Sequence, residues 1–113
     1  MSALYVIATP IGNLEDLSPR ARRLLSQAGL ILAEDTRVTG KLLSAFGIKT
    51  PMESCHAHNE RQKAARFVAR MQEEDLVVAL VSDAGTPAIS DPGAFLVSAA
   101  HKAGIPVYAV PGP

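Results

Sequence analysis

Val77-Val78-Ala79-Leu80-Val81-Ser82 followed by Asp83-Ala84-Gly85-Thr86-Pro87-Ala88-Ile89-Ser90-Asp91-Pro92 is the stretch on which the reading of this chain turns. Its first part is an uncharged, β-branched and aliphatic run, the pattern of a strand buried in a parallel sheet. Its second part leaves that strand through glycine, small hydroxyl residues and two prolines. Such a loop brings bare backbone close to a ligand, because Ala84 and Gly85 put little bulk in the way. It is also longer than a strand-to-helix turn needs to be.

Working outward, the chain alternates between strand and helix patterns. Ala3 to Thr9 is a short apolar run ended by Pro10-Ile11-Gly12-Asn13. Ser18 offers an N-cap with Pro19 at the first helical position, and the spacing predicts a helix to about Ala28, stopped by Gly29. Leu30 to Ala33 is a second strand, with Glu34-Asp35-Thr36-Arg37 at its carboxyl end. A helix over about Thr39 to Phe46 is closed by Gly47 as a C′ residue. A short strand is expected around Met52 to Cys55. The next helix is capped by Asn59, with Ala65, Phe67, Val68 and Met71 as its apolar side. After the strand Leu76 to Ser82, Asp91-Pro92 starts a helix with Phe95, Leu96 and Ala99 inward. Gly104 ends it before a fifth strand over Ile105 to Val110. The alternation predicts an α/β domain of three layers with a mainly parallel five-stranded sheet and its ligand loops at the carboxyl ends of the strands.

With 113 residues the chain is one domain, 1–113, and Pro111-Gly112-Pro113 after the last strand makes it read as an amino-terminal fragment. Eleven basic residues balance eleven acidic ones, so no global charge draws it to nucleic acid or membrane and any polyanion site must be local. The single cysteine, Cys55, excludes a disulfide within the chain and fits a reducing compartment. The first residues lack the pattern of a signal peptide, and no apolar stretch is long enough to span a membrane, so a soluble cytoplasmic protein is expected.

The loops after the first, fourth and fifth strands, Pro10 to Asn13, Ser82 to Asp91 and Pro111 to Pro113, are expected to border one crevice. Neither G-x-G-x-x-G nor G-x-x-x-x-G-K-[ST] is present, which argues against a phosphate-rich nucleotide as the ligand. Glu34 and Asp35 are adjacent in an extended segment, so at most one faces the crevice; a helix cap or a solvated pair is the plain reading. Cys55-His56-Ala57-His58 lacks the second cluster that a structural zinc site needs, so no metal is expected. Lys63, Arg66 and Arg70 share one helix face, and Arg20, Arg22 and Arg23 crowd another. Such charges usually form a solvated face.

Five separated motifs occur in order: Ile7 to Ala21, Glu34-Asp35-Thr36-Arg37, His58-Asn59-Glu60, Ser82 to Gly93, and Val110-Pro111-Gly112-Pro113. Together they resemble the amino-terminal half of the tetrapyrrole methylase superfamily, and most closely its branch acting on 16S rRNA. The resemblance implies a methyltransferase that uses S-adenosylmethionine, held between this domain and a carboxyl-terminal one, to 2′-O-methylate a cytidine of 16S rRNA. It implies that Pro10, Ile11, Ser82, Asp83, Ala84, Gly85, Thr86 and Ile89 line the cofactor site and that Asp35 is the proton acceptor. It also implies that Arg37, His58 and Asn59 meet the rRNA or small ribosomal subunit, and that the protein is a homodimer. The chain departs from the wider superfamily where Pro10-Ile11-Gly12-Asn13 replaces a G-P-G-D loop and Gly85-Thr86-Pro87 replaces G-D-P. Each change removes an acid from the cleft, and neither Asn13 nor Thr86 repeats a carboxylate's contacts. Two rivals stand beside this reading: a methylase of small tetrapyrroles, and a ligand-binding or assembly domain without catalysis.

Overall fold

Period-two alternation in the strands distributes the core over both faces of one sheet. The structure, a computed structural model, describes residues 1–9, 17–55, 60–82 and 91–110, with the backbone alone at Glu60, Ser82, Asp91, Pro92 and Gly93. The elements run β1 (Ala3–Ala8), α1 (Pro19–Gln27), β2 (Leu30–Ala33), α2 (Thr36–Ala45), β3 (Met52–Ser54), α3 (Glu60–Glu74), β4 (Val77–Ser82), α4 (Asp91–Lys102) and β5 (Val107–Val110). The five strands form one sheet in the order β3-β2-β4-β1-β5, and every pairing is parallel.

Right-handed crossovers then fix the layers. Steps from β1 to β2 and β3 move toward one edge and carry α1 and α2 on one face. Steps from β3 to β4 and β5 move back and carry α3 and α4 on the other. The core follows this division. Leu4, Val6, Leu30, Leu32, Val78 and Leu80 pack with Phe67, Met71, Leu96 and Ala100, whereas Ile7, Ile31, Ala79 and Val81 pack with Ala21, Leu25, Leu42 and Leu43. The expected three-layer α/β domain with a parallel five-stranded sheet is therefore the fold observed.

Local differences have physical causes. Ser18 caps α1 as expected, its Oγ accepting from the Ala21 amide at 3.1 Å with Pro19 behind it. Gly29 does not end that helix through a left-handed backbone. It lies where the chain passes tightly by Leu76, whose side chain a Cβ would strike, while its N–H donates to the Val77 carbonyl at 2.8 Å. Helix α2 starts at Thr36 rather than Thr39 because Asp35 is its N-cap. Gly47 and Gly104, at φ +66° and +76°, supply the left-handed turns that close α2 and α4. On α3 the inward small residue is Ala64, not Ala65, which is exposed. Strand β5 begins at Val107, one residue past Pro106, which has no amide hydrogen to donate.

Candidate functional site at the carboxyl rim of the sheet

In a parallel sheet, ligands settle at the carboxyl ends of adjacent strands whose following helices lie on opposite faces. Strand β4 meets that condition on both sides, since β2 and β1 flank it and send their helices to the face opposite α4. The order β4-β1-β5 also places side by side the three strands whose loops were expected to share a crevice. The central strands end in small residues. Ala8 is level with Ser82, and Ala33 with Val81 one residue behind. Ala8 and Ala33 are buried, and next to them Thr9, only 3% exposed, is a buried hydroxyl that the strand pattern alone did not single out. A rim floored by small side chains leaves room for a ligand lying across the strand ends.

Most residues expected to touch the cofactor, Pro10, Ile11, Asp83, Ala84, Gly85, Thr86 and Ile89, lie outside the described residues, as do His58 and Asn59. Ser82 is the last residue of β4 and thus stands at the rim. Asp35 and Arg37 are described, two and four residues beyond the end of β2. Their geometry is that of a helix start. Asp35 Oδ1 accepts from the Arg37 amide at 3.0 Å and the Val38 amide at 3.4 Å, with the Arg37 Nε at 3.7 Å. The Val38 amide, followed by the Arg37 amide and guanidinium, holds the Asp35 carboxyl below its ordinary 3.8, against a partial loss of hydration. All of these contacts fall on Oδ1, so Oδ2 is the oxygen turned away from the cap. Glu34 beside it is exposed, as expected of neighbours in an extended segment. Arg37 is almost fully exposed and projects from the first turn of α2.

Other expectations change. Arg70 is bound at 2.8 Å to Glu53 of β3 and at 3.1 Å to Glu74, which raises its pKa and ties α3 to the sheet edge. It thereby leaves the row of free cations that Lys63, Arg66 and Arg70 made in the sequence. Cys55 is buried, and its N–H extends the ladder by donating to the Ala33 carbonyl at 2.8 Å. Among the described residues no helix is long and apolar enough to cross a membrane.

Known proteins share this arrangement. A relative from Pseudomonas aeruginosa, called ribosomal RNA small subunit methyltransferase I, is 57% identical over 110 residues, covering 96% of this chain and 38% of its own. Proteins of the same name from Escherichia coli O157:H7 and Synechocystis are each 53% identical over 97% and 99% of the chain. The chain spans about two-fifths of the length of these relatives. Among solved structures, a uroporphyrin-III C-methyltransferase from Thermus thermophilus superposes with a TM-score of 0.75 at 27% identity, over 97% of this chain and 47% of its own. A second structure of that enzyme, complexed with S-adenosyl homocysteine, gives 0.65 at 26% identity, over 97% and 48%. Residues 3–113 match the family model of the tetrapyrrole (corrin/porphyrin) methylases, so the chain, with its parallel sheet and small-residue rim, belongs to that family.

Proposed function

We propose that this chain is the amino-terminal part of a methyltransferase that moves a methyl group from S-adenosylmethionine to the 2′-hydroxyl of a cytidine in 16S rRNA. The observation that carries this reading is the 51–57% identity, over nearly the whole chain, to relatives named ribosomal RNA small subunit methyltransferase I. The named small-subunit substrate favours rRNA over a small tetrapyrrole, the substrate class of the more distant Thermus enzyme. The homocysteine complex of that enzyme supports S-adenosylmethionine as the methyl source here. The rim suits such a molecule, for its buried floor of Ala8 and Ala33 admits a flat group across the strand ends.

S-adenosylmethionine would supply an activated methyl on a sulfonium. In this reading the Pro10-Ile11 and Ser82 to Ile89 segments hold it, and Arg37, His58 and Asn59 position the RNA. The ribose oxygen forms the new bond to carbon as the carbon–sulfur bond breaks and its electron pair stays on sulfur. Asp35, through Oδ2, takes the hydroxyl proton and releases it to water. Because its pKa is depressed, Asp35 is a weak base, and alignment of oxygen, carbon and sulfur supplies more of the rate than proton removal does. The protein acts in the cytoplasm, as a homodimer.

The test joins this chain to the carboxyl-terminal remainder of the Pseudomonas aeruginosa relative and supplies methyl-labelled S-adenosylmethionine with 30S subunits, naked 16S rRNA or a uroporphyrinogen. Label in an RNA acceptor supports the reading. Label in the tetrapyrrole alone, or in no acceptor, overturns it.

A further inference from the structure

A neutral chain can still carry a one-sided charge distribution. Between Leu17 and Thr50, which builds α1, β2, α2 and the turn after it, Arg20, Arg22, Arg23, Arg37, Lys41 and Lys49 stand against only Glu34 and Asp35. All six cations are exposed. Three of them crowd the first half of α1, whose first turn holds no acidic residue. The positive end of the helix dipole disfavours that placement, and an anion bound there would offset it.

Two of these cations, Arg22 and Arg23, line a groove, and Arg20 lies beside them on α1. The Arg22 guanidinium lies 4.7 Å over the ring of Phe46, the C-cap of α2. Thr50 Oγ1 donates to the carbonyls of Leu25 at 2.7 Å and Ser26 at 3.4 Å, fastening the segment after α2 against the end of α1. Between them runs an open groove of about 560 Å³ lined by the apolar Leu17 and Phe46 and by the donors Arg22, Arg23 and Gln27, while the Ser26 hydroxyl on its lining donates to the Arg22 carbonyl at 3.0 Å. Among the described residues no carboxylate pairs with Arg20, Arg22 or Arg23. On the opposite face Arg70 is neutralised by two glutamates, while Arg61 lies 4.9 Å over the Phe95 ring beside a smaller groove of about 430 Å³.

We propose that this groove seats the phosphodiester backbone of the RNA substrate. The proposal rests on the reading that RNA is the acceptor and adds where it is held. Guanidinium forks match phosphate oxygens, and the open groove suits a continuous chain. Helix α1 runs antiparallel to the strands, so its first turn, with Pro19 and Arg20, stands at the carboxyl rim. A strand lying along α1 is thereby led to the place of methyl transfer. Contacts of this kind fix position without reading bases.

The test measures binding of a fluorescently labelled 16S rRNA transcript to the chain across a salt series. Each phosphate contact contributes roughly 0.7 to 0.9 to the slope of log affinity against log salt. Replacing Arg20, Arg22 and Arg23 by glutamine should lower that slope by about 2 and weaken binding at least about tenfold in 0.1 M salt. Replacing the same three by lysine should keep the slope, since charge is retained, and Lys63→Gln with Arg66→Gln on α3 should change neither quantity. An unaltered slope in the folded glutamine variant, or an equal loss in the α3 variant, overturns the proposal. Unaltered binding by the glutamine variant of Arg20, Arg22 and Arg23, together with labelled RNA in the acceptor experiment, would remove the groove and leave the substrate reading standing. Absence of RNA labelling would remove the reading itself.

Discussion

Replacing Asp35 separates its role as helix cap from the proton-acceptor role proposed for it. As N-cap, the side chain satisfies the amides of Arg37 and Val38 at 3.0 and 3.4 Å, and an asparagine oxygen accepts equally well at such a site. Asp35→Asn should therefore melt close to the parent, whereas Asp35→Ala, which frees both amides, should melt about 4 °C lower in a chain of this size. As proton acceptor only the carboxylate serves, so in the fused protein Asp35→Asn should slow single-turnover methylation of 30S subunits by roughly 10²-fold, with the affinity for S-adenosylmethionine unchanged. The depressed pKa decides the pH behaviour. Asp35 is ionised throughout the neutral range, and the parental rate should not rise between about pH 6 and 9 on its account. The ionised cap stabilises the fold fully above the ordinary carboxylate pKa, and that contribution disappears as pH falls through the lowered pKa. Parent and Asp35→Asn should thus converge in acid. Calorimetric melting and quenched-flow methylation are the assays. An Asp35→Asn protein with the parental rate would leave Asp35 a cap alone, and one melting like Asp35→Ala would refute the capping argument.

Met71 is fully buried between α3 and the sheet, and Met71→Ala should cost about 2–5 kcal/mol in urea unfolding; a loss below 1 kcal/mol would mean that the site collapses around the smaller side chain. Gly29→Ala should cost at most about 1 kcal/mol, since the Leu76 methyl group its Cβ would strike is the end of a side chain that can turn aside, and a second change, Leu76→Ala, should remove most of that increment in a double-mutant cycle. Strict additivity would contradict the contact. Gly85→Val in the fused protein should weaken S-adenosylmethionine binding by more than tenfold, about 1.4 kcal/mol, in calorimetry; unchanged affinity in a folded variant would take that loop out of the cofactor site.

The fold was legible where burial dictates composition. The run Val77 to Val81 has no charge because β4 has neighbours on both sides and helices on both faces, and Leu30 to Ala33 reads the same way for β2. The lateral order of the strands was less accessible, for local pattern does not state that β4 lies between β2 and β1. Three sequence-distant loops could be grouped only by analogy with other doubly wound sheets. Helix α2 begins three residues earlier than its apolar pattern, since Thr36 and Val38 are modest helix formers and the Asp35 cap, one of the plain readings of Glu34-Asp35, supplies what propensity lacks. Arg70 shows the limit of helical spacing. Its distance from Lys63 and Arg66 in sequence gave one face, but its partner Glu53 sits on β3, seventeen residues away. The pairing of Arg22 with Phe46 bridges α1 and the end of α2 and was likewise hidden, as nothing in either segment names the other. Of the candidate site, the structure describes Asp35 and Arg37 just after the end of β2 and Ser82 as the last residue of β4.

In the proposed reaction the acceptor is a cytidine ribose hydroxyl of 16S rRNA. Digestion of 16S rRNA to nucleosides after reaction of the fused protein with 30S subunits and methyl-labelled S-adenosylmethionine, followed by mass spectrometry, tests it most directly. Label should appear in 2′-O-methylcytidine, and more slowly with Asp35→Asn. Label on a base, on another nucleoside, or on no RNA product would contradict it.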